Sequence, residues 1–315
     1  MCSGIRFSDD AGNMFFGRNL DWCNGYGQGV VVTPRGFRYE SAFLGEMAIR
    51  YAVIGMAVVA DNKPLYFDCG NEAGLAIAGL NFPGYAEYEH EAISGKMNVA
   101  AYEFPLFVAA NFATVDEAEV ALQDVAIVAK PVNTQFPVSE LHFMIGDGKR
   151  SIVVEYTANG MEIYDNPVDV LTNQPGYAWH YENLRNYLNL DSRMPKEVDW
   201  RGARLTAFGT GGLMRGLPGD YYSPSRFVRL AYLNAHYPVQ SSETDNVLRL
   251  FHSLQGVAMI DGAAAMADGK FEKTIYTSGF SAATRTYYYN TYENPTIQQV
   301  KMDDCDLGGE ELVQF

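Results

Sequence analysis

Cysteine is scarce in this sequence: there are four in 315 residues, and no two of them form a Cys-x-x-Cys pair. They are Cys2, Cys23, Cys69 and Cys305. A disulfide framework and a structural zinc site both need closely spaced cysteines, so this scatter argues against either. We therefore expect the protein to work in a reducing, cytoplasmic environment.

Positive charge and long apolar runs are scarce as well. The chain has 23 Lys and Arg residues against 38 Asp and Glu, a formal net charge of −15 at pH 7. Nucleic acid and anionic membrane surfaces both bind to basic faces, so neither is expected as a partner. No uncharged stretch is long enough to span a membrane, and residues 1–10 lack the apolar segment of a secretory signal. The composition predicts a soluble protein.

Familiar metal and nucleotide motifs are missing too. We find no G-x-S-x-G, P-loop or G-x-G-x-x-G pattern. None of the five histidines has a metal-binding spacing such as H-E-x-x-H. His142, at a strand start, and His252, on a helix, are expected to be structural. We therefore predict no metal site.

What the chain does contain is a succession of short strands divided by turn clusters, with helical segments between and after them. The predicted strands cover 2–8, 14–19, 30–33, 51–60, 73–80, 142–145, 151–156, 161–164, 273–277 and 286–292. The predicted helices cover 98–112 with an interruption at Pro105, 114–128 from a Thr114–Glu117 capping box, 180–190, 223–235 with Ser223 as N-cap, and 242–254 from Ser242. Hairpins and a meander indicate antiparallel sheets rather than alternating βα units. We predict an α+β fold, which a four-layer αββα sandwich would satisfy.

The first chemical signal is Cys2. If Met1 is removed, Cys2 carries both a thiol and a free α-amino group, the pairing used by N-terminal nucleophiles. A hairpin would bring Arg18 and Asp21 beside it, where the arginine would favour a thiolate and the aspartate would hold the ammonium. The alternative is that position 2 belongs to a disordered chain end.

An amide hydrolase also needs donors for an oxyanion, and two asparagines follow strands in suitable places. They are Asn81, in Gly79-Leu-Asn-Phe-Pro-Gly84, and Asn173, in Val170-Leu-Thr-Asn-Gln-Pro175. Both could equally be ordinary turn residues next to proline. Cys69 could imitate a papain-type nucleophile, but a buried thiol at a strand end is the favoured interpretation.

Five separated motifs, in order along the chain, together resemble the choloylglycine hydrolase family of N-terminal nucleophile hydrolases. They are residues 1–4, 16–22, 79–85, 171–175 and 223–229. The sequence is most like the bile salt hydrolases of bifidobacteria and related gut bacteria. The resemblance implies a four-layer αββα fold and one catalytic domain over residues 1–315.

Carried onto matching positions, the resemblance also implies roles for six residues. Cys2 would be the nucleophile after loss of Met1, Arg18 would lie against its thiol, and Asp21 would hold its α-amino group. Asn173 and Asn81 would support the oxyanion, and Arg226 would complete the polar network. The implied reaction needs no cofactor.

The implied substrate is a glycine- or taurine-conjugated bile salt, a small molecule with an apolar steroid body. Candidate wall residues for its pocket, which could equally belong to the core, are Leu20, Trp22, Phe67 and Phe136. A penicillin V acylase or another N-acyl amide hydrolase of the family is the alternative, and tyrosine in place of Asn81 would favour it. A non-catalytic steroid-binding protein is a more distant one.

The resemblance further implies a homotetramer. The segment from about 191 to 220 is long for a loop and carries Trp200, Leu213, Met214 and Leu217, so it is the expected assembly arm. The alternative for this segment is a mobile surface loop.

Overall fold

The computed structural model describes all residues, 1–315, and contains five α-helices and 21 strands. The helices are α1 Phe104–Asn111, α2 Val115–Leu122, α3 Tyr177–Asn183, α4 Ser223–His236 and α5 Glu243–Gln255. The strands are β1 Cys2–Ser8, β2 Met14–Trp22, β3 Gly29–Thr33, β4 Arg38–Ser41, β5 Gly45–Ala48, β6 Val53–Ala60, β7 Lys63–Asn71, β8 Ala76–Asn81, β9 Met97–Ala100, β10 Val125–Val128, β11 Leu141–Gly146, β12 Ser151–Thr157, β13 Gly160–Asp165, β14 Val170–Leu171, β15 Val198–Trp200, β16 Ala203–Leu205, β17 Ala264–Ala265, β18 Phe271–Ser281, β19 Thr286–Thr291, β20 Gln298–Lys301 and β21 Val313–Gln314. Short 3₁₀ turns lie at Leu184–Tyr187, Gly212–Met214 and Met302–Asp304.

Two large antiparallel sheets form the centre of the molecule. One has the order β14-β1-β2-β18-β19-β20, with β17 added to β18, and the other has the order β13-β12-β11-β8-β7-β6-β3-β21. The sheets face each other through β1, β2 and β8. Helices α4 and α5 cover the first sheet, and α1 covers the second. The predicted α+β four-layer αββα sandwich is confirmed.

The first hairpin shows how local sequence fixes the start of the chain. Asp9 Oδ1 accepts hydrogen bonds from the backbone N–H groups of Ala11 at 2.9 Å and Asn13 at 2.8 Å. Gly12 supplies the left-handed backbone that the turn needs, with φ of 85°. The resulting register pairs Cys2 with Leu20 and Gly4 with Arg18. Directly paired residues project to the same face of a sheet, so Cys2 and Arg18 share a face.

Several predicted boundaries are wrong, for identifiable reasons. Pro105 does not interrupt a helix, because it lies in the first turn of α1, where its missing N–H is not needed. The predicted helices include residues 98–100 and 125–128, yet these lie in the parallel pair β9–β10, with α1 and α2 between the two strands. Strand β7 was not predicted at all. The 286–292 strand does not close the chain, because β20 and β21 follow.

Two helix starts also bear on the predictions. Ser242 caps α5 as expected, accepting from the backbone N–H of Asp245 at 3.1 Å. Ser223 does not cap α4, because its hydroxyl is turned toward the segment that contains Asn173. No helix of the protein has the length and apolar character needed to cross a membrane.

Candidate active site

The thiol of Cys2 lies between the two sheets, beside a buried guanidinium. Arg18 Nη2 donates to Cys2 Sγ at 2.6 Å, and the two residues are 1% and 6% exposed. Arg18 Nη1 donates to the carbonyls of Phe67 at 3.1 Å and Gly79 at 2.8 Å, on β7 and β8. The opposite sheet therefore holds the guanidinium against the sulfur.

Arg18 stays protonated, and therefore positively charged, in this position. Burial alone would lower the pKa of Arg18, but the negative charges that Cys2, Asp68 and Asp21 can carry raise it above its ordinary value. A permanent cation at hydrogen-bond distance favours the thiolate form of cysteine, which is the nucleophilic form. The arrangement can therefore activate Cys2 without a metal ion.

The backbone side of Cys2 faces a second arginine, from α4. Arg226 is fully buried; its Nη1 donates to the Cys2 carbonyl at 2.5 Å and to Ser3 Oγ at 2.6 Å. Its Nη2 donates to Asn173 Oδ1 at 2.7 Å. Burial lowers the pKa of Arg226, while the nearby carboxylate of Asp21 opposes this shift.

Asn173 links the nucleophile to Asn81. Its Oδ1 accepts from the backbone N–H of Cys2 at 2.8 Å, and its Nδ2 donates to the Asn81 carbonyl at 2.7 Å. Its backbone N–H donates to Ser223 Oγ at 2.9 Å. Four of the six predicted catalytic residues thus share one hydrogen-bonded cluster with the Asn81 carbonyl: Cys2, Arg18, Asn173 and Arg226.

Asp21 has one satisfied and one unsatisfied carboxylate oxygen. Oδ1 accepts from Thr274 Oγ1 at 2.6 Å. Oδ2 is buried without a hydrogen-bond partner, and Arg226 Nη1 lies 3.9 Å from it. A buried carboxylate oxygen that lacks a donor is costly, so this position favours an additional cation.

Met1 is still attached in this chain, so Cys2 N is an amide nitrogen. The ammonium of Met1 donates to the Asp21 carbonyl at 2.6 Å and to Glu272 Oε2 at 3.0 Å. Glu272 is 7% exposed. Sequence analysis did not identify Glu272 or Thr274 as site residues, and it assigned Ser223 only to a helix cap, since no local pattern marks their contacts with the start of the chain.

A buried histidine also supports Asn173. His180 Nε2 lies 2.9 Å from the Asn173 carbonyl, which can only accept, so this nitrogen carries the hydrogen. Burial lowers the pKa of His180 to about 4, which keeps the ring neutral near pH 7. Its other nitrogen, Nδ1, has no partner. Sequence analysis assigned no role to His180.

The four predicted wall residues are not equally placed. Leu20 is 5% exposed, lies in the main hydrophobic core and is paired with Cys2 across the hairpin. Trp22 and Phe67 are half-buried at the edge of the same core. Phe136 lies in the segment before β11, where its backbone bonds to Val132 and Asn133.

Tyr26 is an aromatic neighbour that sequence analysis missed. Its ring centroid lies 5.4 Å from that of Phe67, and the residue is 40% exposed. Burial, followed by the negative charges of Cys2 and Cys23, raises the pKa of Tyr26 to about 12. Tyr26 therefore packs on one of the predicted wall residues, and its position between Gly25 and Gly27 could have drawn attention to it.

Two cavities elsewhere on the molecule do not include the residues around Cys2. One of about 340 Å³ adjoins Cys23 and Lys273, and one of about 500 Å³ lies between Glu89 and Ile163. None of the ten predicted site residues lines either cavity. The structure also contains no group of three or more His, Cys, Asp or Glu residues arranged to hold a metal ion.

Comparison with known families identifies the chemistry. Residues 2–315 match the family of linear amide C–N hydrolases described as the choloylglycine hydrolase family. The chain belongs to this family. The match spans the cluster around Cys2 and both sheets, so the family assignment applies to the whole fold.

Similar proteins cover the chain over its full length. It is 56% identical over 314 residues to a bile salt hydrolase/transferase of Bifidobacterium longum subsp. longum, covering 99% of each chain. It is 43% identical over 316 residues to a conjugated bile acid hydrolase of Lactobacillus gasseri, covering 100% of each.

Solved structures agree with the fold. A C2A mutant of the conjugated bile acid hydrolase from Clostridium perfringens has a TM-score of 0.94 at 37% identity, covering 100% of this chain and 96% of that one. Penicillin V acylase from Agrobacterium tumefaciens has a TM-score of 0.79 at 20% identity, covering 99% and 90%. At that identity the second likeness concerns the fold alone.

Proposed function

We propose that this chain is a bile salt hydrolase that cleaves the amide bond of glycine- and taurine-conjugated bile acids. The observation that carries the proposal is the Cys2 thiol held 2.6 Å from Arg18 Nη2 at the start of the chain. Membership of an amide hydrolase family supports the reaction type, and relatives named bile salt hydrolases at up to 56% identity support the substrate.

Acylation begins once Met1 has been removed. The Cys2 thiolate attacks the amide carbonyl carbon and forms a C–S bond, while Asn173 Nδ2 and the backbone N–H of Asn81 donate to the oxyanion. The C–N bond then breaks, and its electron pair leaves with nitrogen. The α-ammonium of Cys2 gives that nitrogen a proton, which releases glycine or taurine.

Deacylation reverses the proton transfer. The free α-amine takes a proton from water, and the resulting hydroxide attacks the thioester carbon. The C–S bond breaks, and the thiolate beside Arg18 is restored. The unpartnered Asp21 Oδ2 supports this scheme, because the α-ammonium would supply the cation that the oxygen lacks.

The test is amide cleavage by purified protein on glycocholate, taurocholate and penicillin V, with Cys2→Ala and Cys69→Ala alongside. Cys69 is a matched control, because it is also a buried thiol, at 1% exposure, and burial raises its pKa. We expect release of glycine and taurine by the wild type and by Cys69→Ala, and none by Cys2→Ala. Activity retained in Cys2→Ala would refute the mechanism.

The same experiment separates the alternatives. Preference for penicillin V would move the protein to the acylase branch with its mechanism unchanged. No cleavage of any substrate by protein whose intact mass shows loss of Met1 would favour the steroid-binding alternative.

Acyl transfer is a second candidate activity, since several relatives are named hydrolase/transferase. An amine that replaces water at the thioester would give a new amide of the bile acid. Incubation of glycocholate with an excess of another amino acid should then yield that conjugate by mass spectrometry, and hydrolysis alone would exclude transfer.

We further propose a homotetramer of single-domain subunits that works in the cytoplasm. The 191–220 segment exposes Trp200 at 70% and Phe208 at 113%, which suits an assembly arm. All four cysteines are free, which suits a reducing compartment. Light scattering should give four times the chain mass, and Trp200→Ser should lower it; a monomeric wild type would contradict the proposal.

A further inference from the structure

His142 is fully buried on β11, and both of its ring nitrogens face oxygen atoms. Nε2 lies 2.8 Å from the Thr172 carbonyl, and Nδ1 lies 3.0 Å from Glu155 Oε1. A carbonyl can only accept, so Nε2 carries a hydrogen. The Glu155 carboxylate therefore holds the opposite edge of the ring.

The ring contacts the neighbours of both oxyanion asparagines. Thr172, whose carbonyl it holds, immediately precedes Asn173. Phe82, which immediately follows Asn81, stacks on the ring with centroids 4.1 Å apart and planes 8° apart. One side chain therefore fixes the backbone next to each asparagine.

Glu155 secures the chain on the other side of Asn173. Its Oε1 also accepts from the backbone N–H of Tyr177 at 2.9 Å, and the residue is 2% exposed. A Cβ on Gly176 would lie 3.0 Å from Glu155 Oε2, tighter than nine in ten Cβ contacts in proteins. The glycine thus lets the chain pass tightly over the carboxylate.

These contacts lie behind the asparagines and do not touch the reacting atoms. The Asn173 amide is itself held to the Asn81 carbonyl at 2.7 Å, so movement of either backbone would displace the other. Displacement of an oxyanion donor by about 1 Å can cost about 100-fold in rate.

We propose that His142 and Glu155 are positioning residues, which hold Asn81 and Asn173 where the oxyanion forms. This inference rests on the proposed function, in which those asparagines stabilise the tetrahedral intermediate. A positioning role predicts a loss in kcat with little change in KM, since the ring is expected to act on the transition state rather than on substrate binding.

The test compares His142→Phe, which keeps a flat ring for Phe82 but loses both hydrogen bonds, with Phe143→Leu. Phe143 is the matched control, because it is the next residue on β11, is 1% exposed and points to the opposite, helix-covered core. We expect kcat to fall roughly 10- to 100-fold in His142→Phe, with KM within about threefold, and to stay near wild type in Phe143→Leu.

A second readout separates the oxyanion from the thiol. The rate at which iodoacetamide alkylates Cys2 depends on Arg18, and we expect it to be unchanged in His142→Phe. Loss of kcat together with slower alkylation would overturn the inference, and so would a kcat equal to that of Phe143→Leu. If His142→Phe does not fold, His142→Gln, which retains one donor, decides by the same comparisons.

The outcomes for the two proposals are distinguishable. Wild-type cleavage of glycocholate tests the proposed function. The ratio of variant to wild type, measured on whichever of glycocholate or penicillin V the wild type cleaves, tests the positioning role.

Discussion

Replacement of Asn173 by alanine should remove an oxyanion donor from the cluster around Cys2. The side chain accepts from Cys2 N and Arg226 Nη2 and donates to the Asn81 carbonyl, three hydrogen bonds of 2.7 to 2.8 Å. Loss of one oxyanion donor typically costs about 10²- to 10³-fold in kcat, or about 3 to 4 kcal/mol of transition-state stabilisation. We expect Asn173→Ala to lose activity by that factor.

The same change should also destabilise the fold, so a control is needed. Asn166 is a matched asparagine, 3% exposed, which accepts from Val170 N and Tyr177 Oη and donates to the Val170 carbonyl. Three lost hydrogen bonds should lower the free energy of unfolding by about 2 to 4 kcal/mol in either variant. Only Asn173→Ala should also lose kcat.

The assay pairs urea unfolding with glycine release from glycocholate at saturating substrate. The expected result is similar stability for the two variants and a difference of at least about 100-fold in kcat. If Asn166→Ala lost as much kcat as Asn173→Ala, loss of rate would reflect a loosened fold, and the role given to Asn173 would be refuted.

Three further predictions concern stability and are measured by urea unfolding. Histidine in the unfolded chain has a pKa of about 6.5, whereas the pKa of folded His180 is about 4. The unfolded state therefore binds the proton first, and the free energy of unfolding falls as the pH drops between these values. His180→Gln should reduce the loss between pH 7.5 and 4.5 by about 2 to 3 kcal/mol, and an unchanged loss would contradict this. Gly17→Ala should be severely destabilising, because its Cβ would lie 2.3 Å from the Ser278 carbonyl; a stable variant would show that β2 and β18 can separate there. Asp68→Ala should cost about 3 to 5 kcal/mol, because it unpairs the hydroxyls of Tyr276, Ser278 and Tyr287, and Asp68→Asn should cost less; equal costs would argue against these bonds.

Features set by neighbouring residues could be predicted from the sequence. The Asp9–Asn13 turn fixes the register of β1 and β2, and that register alone brings Arg18 to the face that Cys2 occupies. The 142–164 meander was predicted for the same reason, since each of its strands pairs with the next along the chain.

Features set by distant contacts could not be predicted. Residues 125–128 continue an apolar helical pattern, yet pairing with β9 makes them a strand, because tertiary contacts outweigh local propensity. Ser223, followed by Pro224, has the residue type that favours an N-cap. Its hydroxyl instead accepts a hydrogen bond from the backbone N–H of Asn173. Glu272 meets the chain terminus across 271 positions, with no local pattern to mark it.

The fold also explains why the nucleophile has two arginines instead of one. Asn19, which shares a face of β2 with Asp21, donates to the Leu254 carbonyl of α5, so that face points to the helices. Arg226 approaches Cys2 from this helical side, whereas Arg18 approaches the sulfur from between the sheets. A single cation could not contact both sides of a strand. The two arginines therefore contact Cys2 from opposite sides of β1, Arg18 at the sulfur and Arg226 at the backbone carbonyl, which suits the proposed use of one residue as both nucleophile and base.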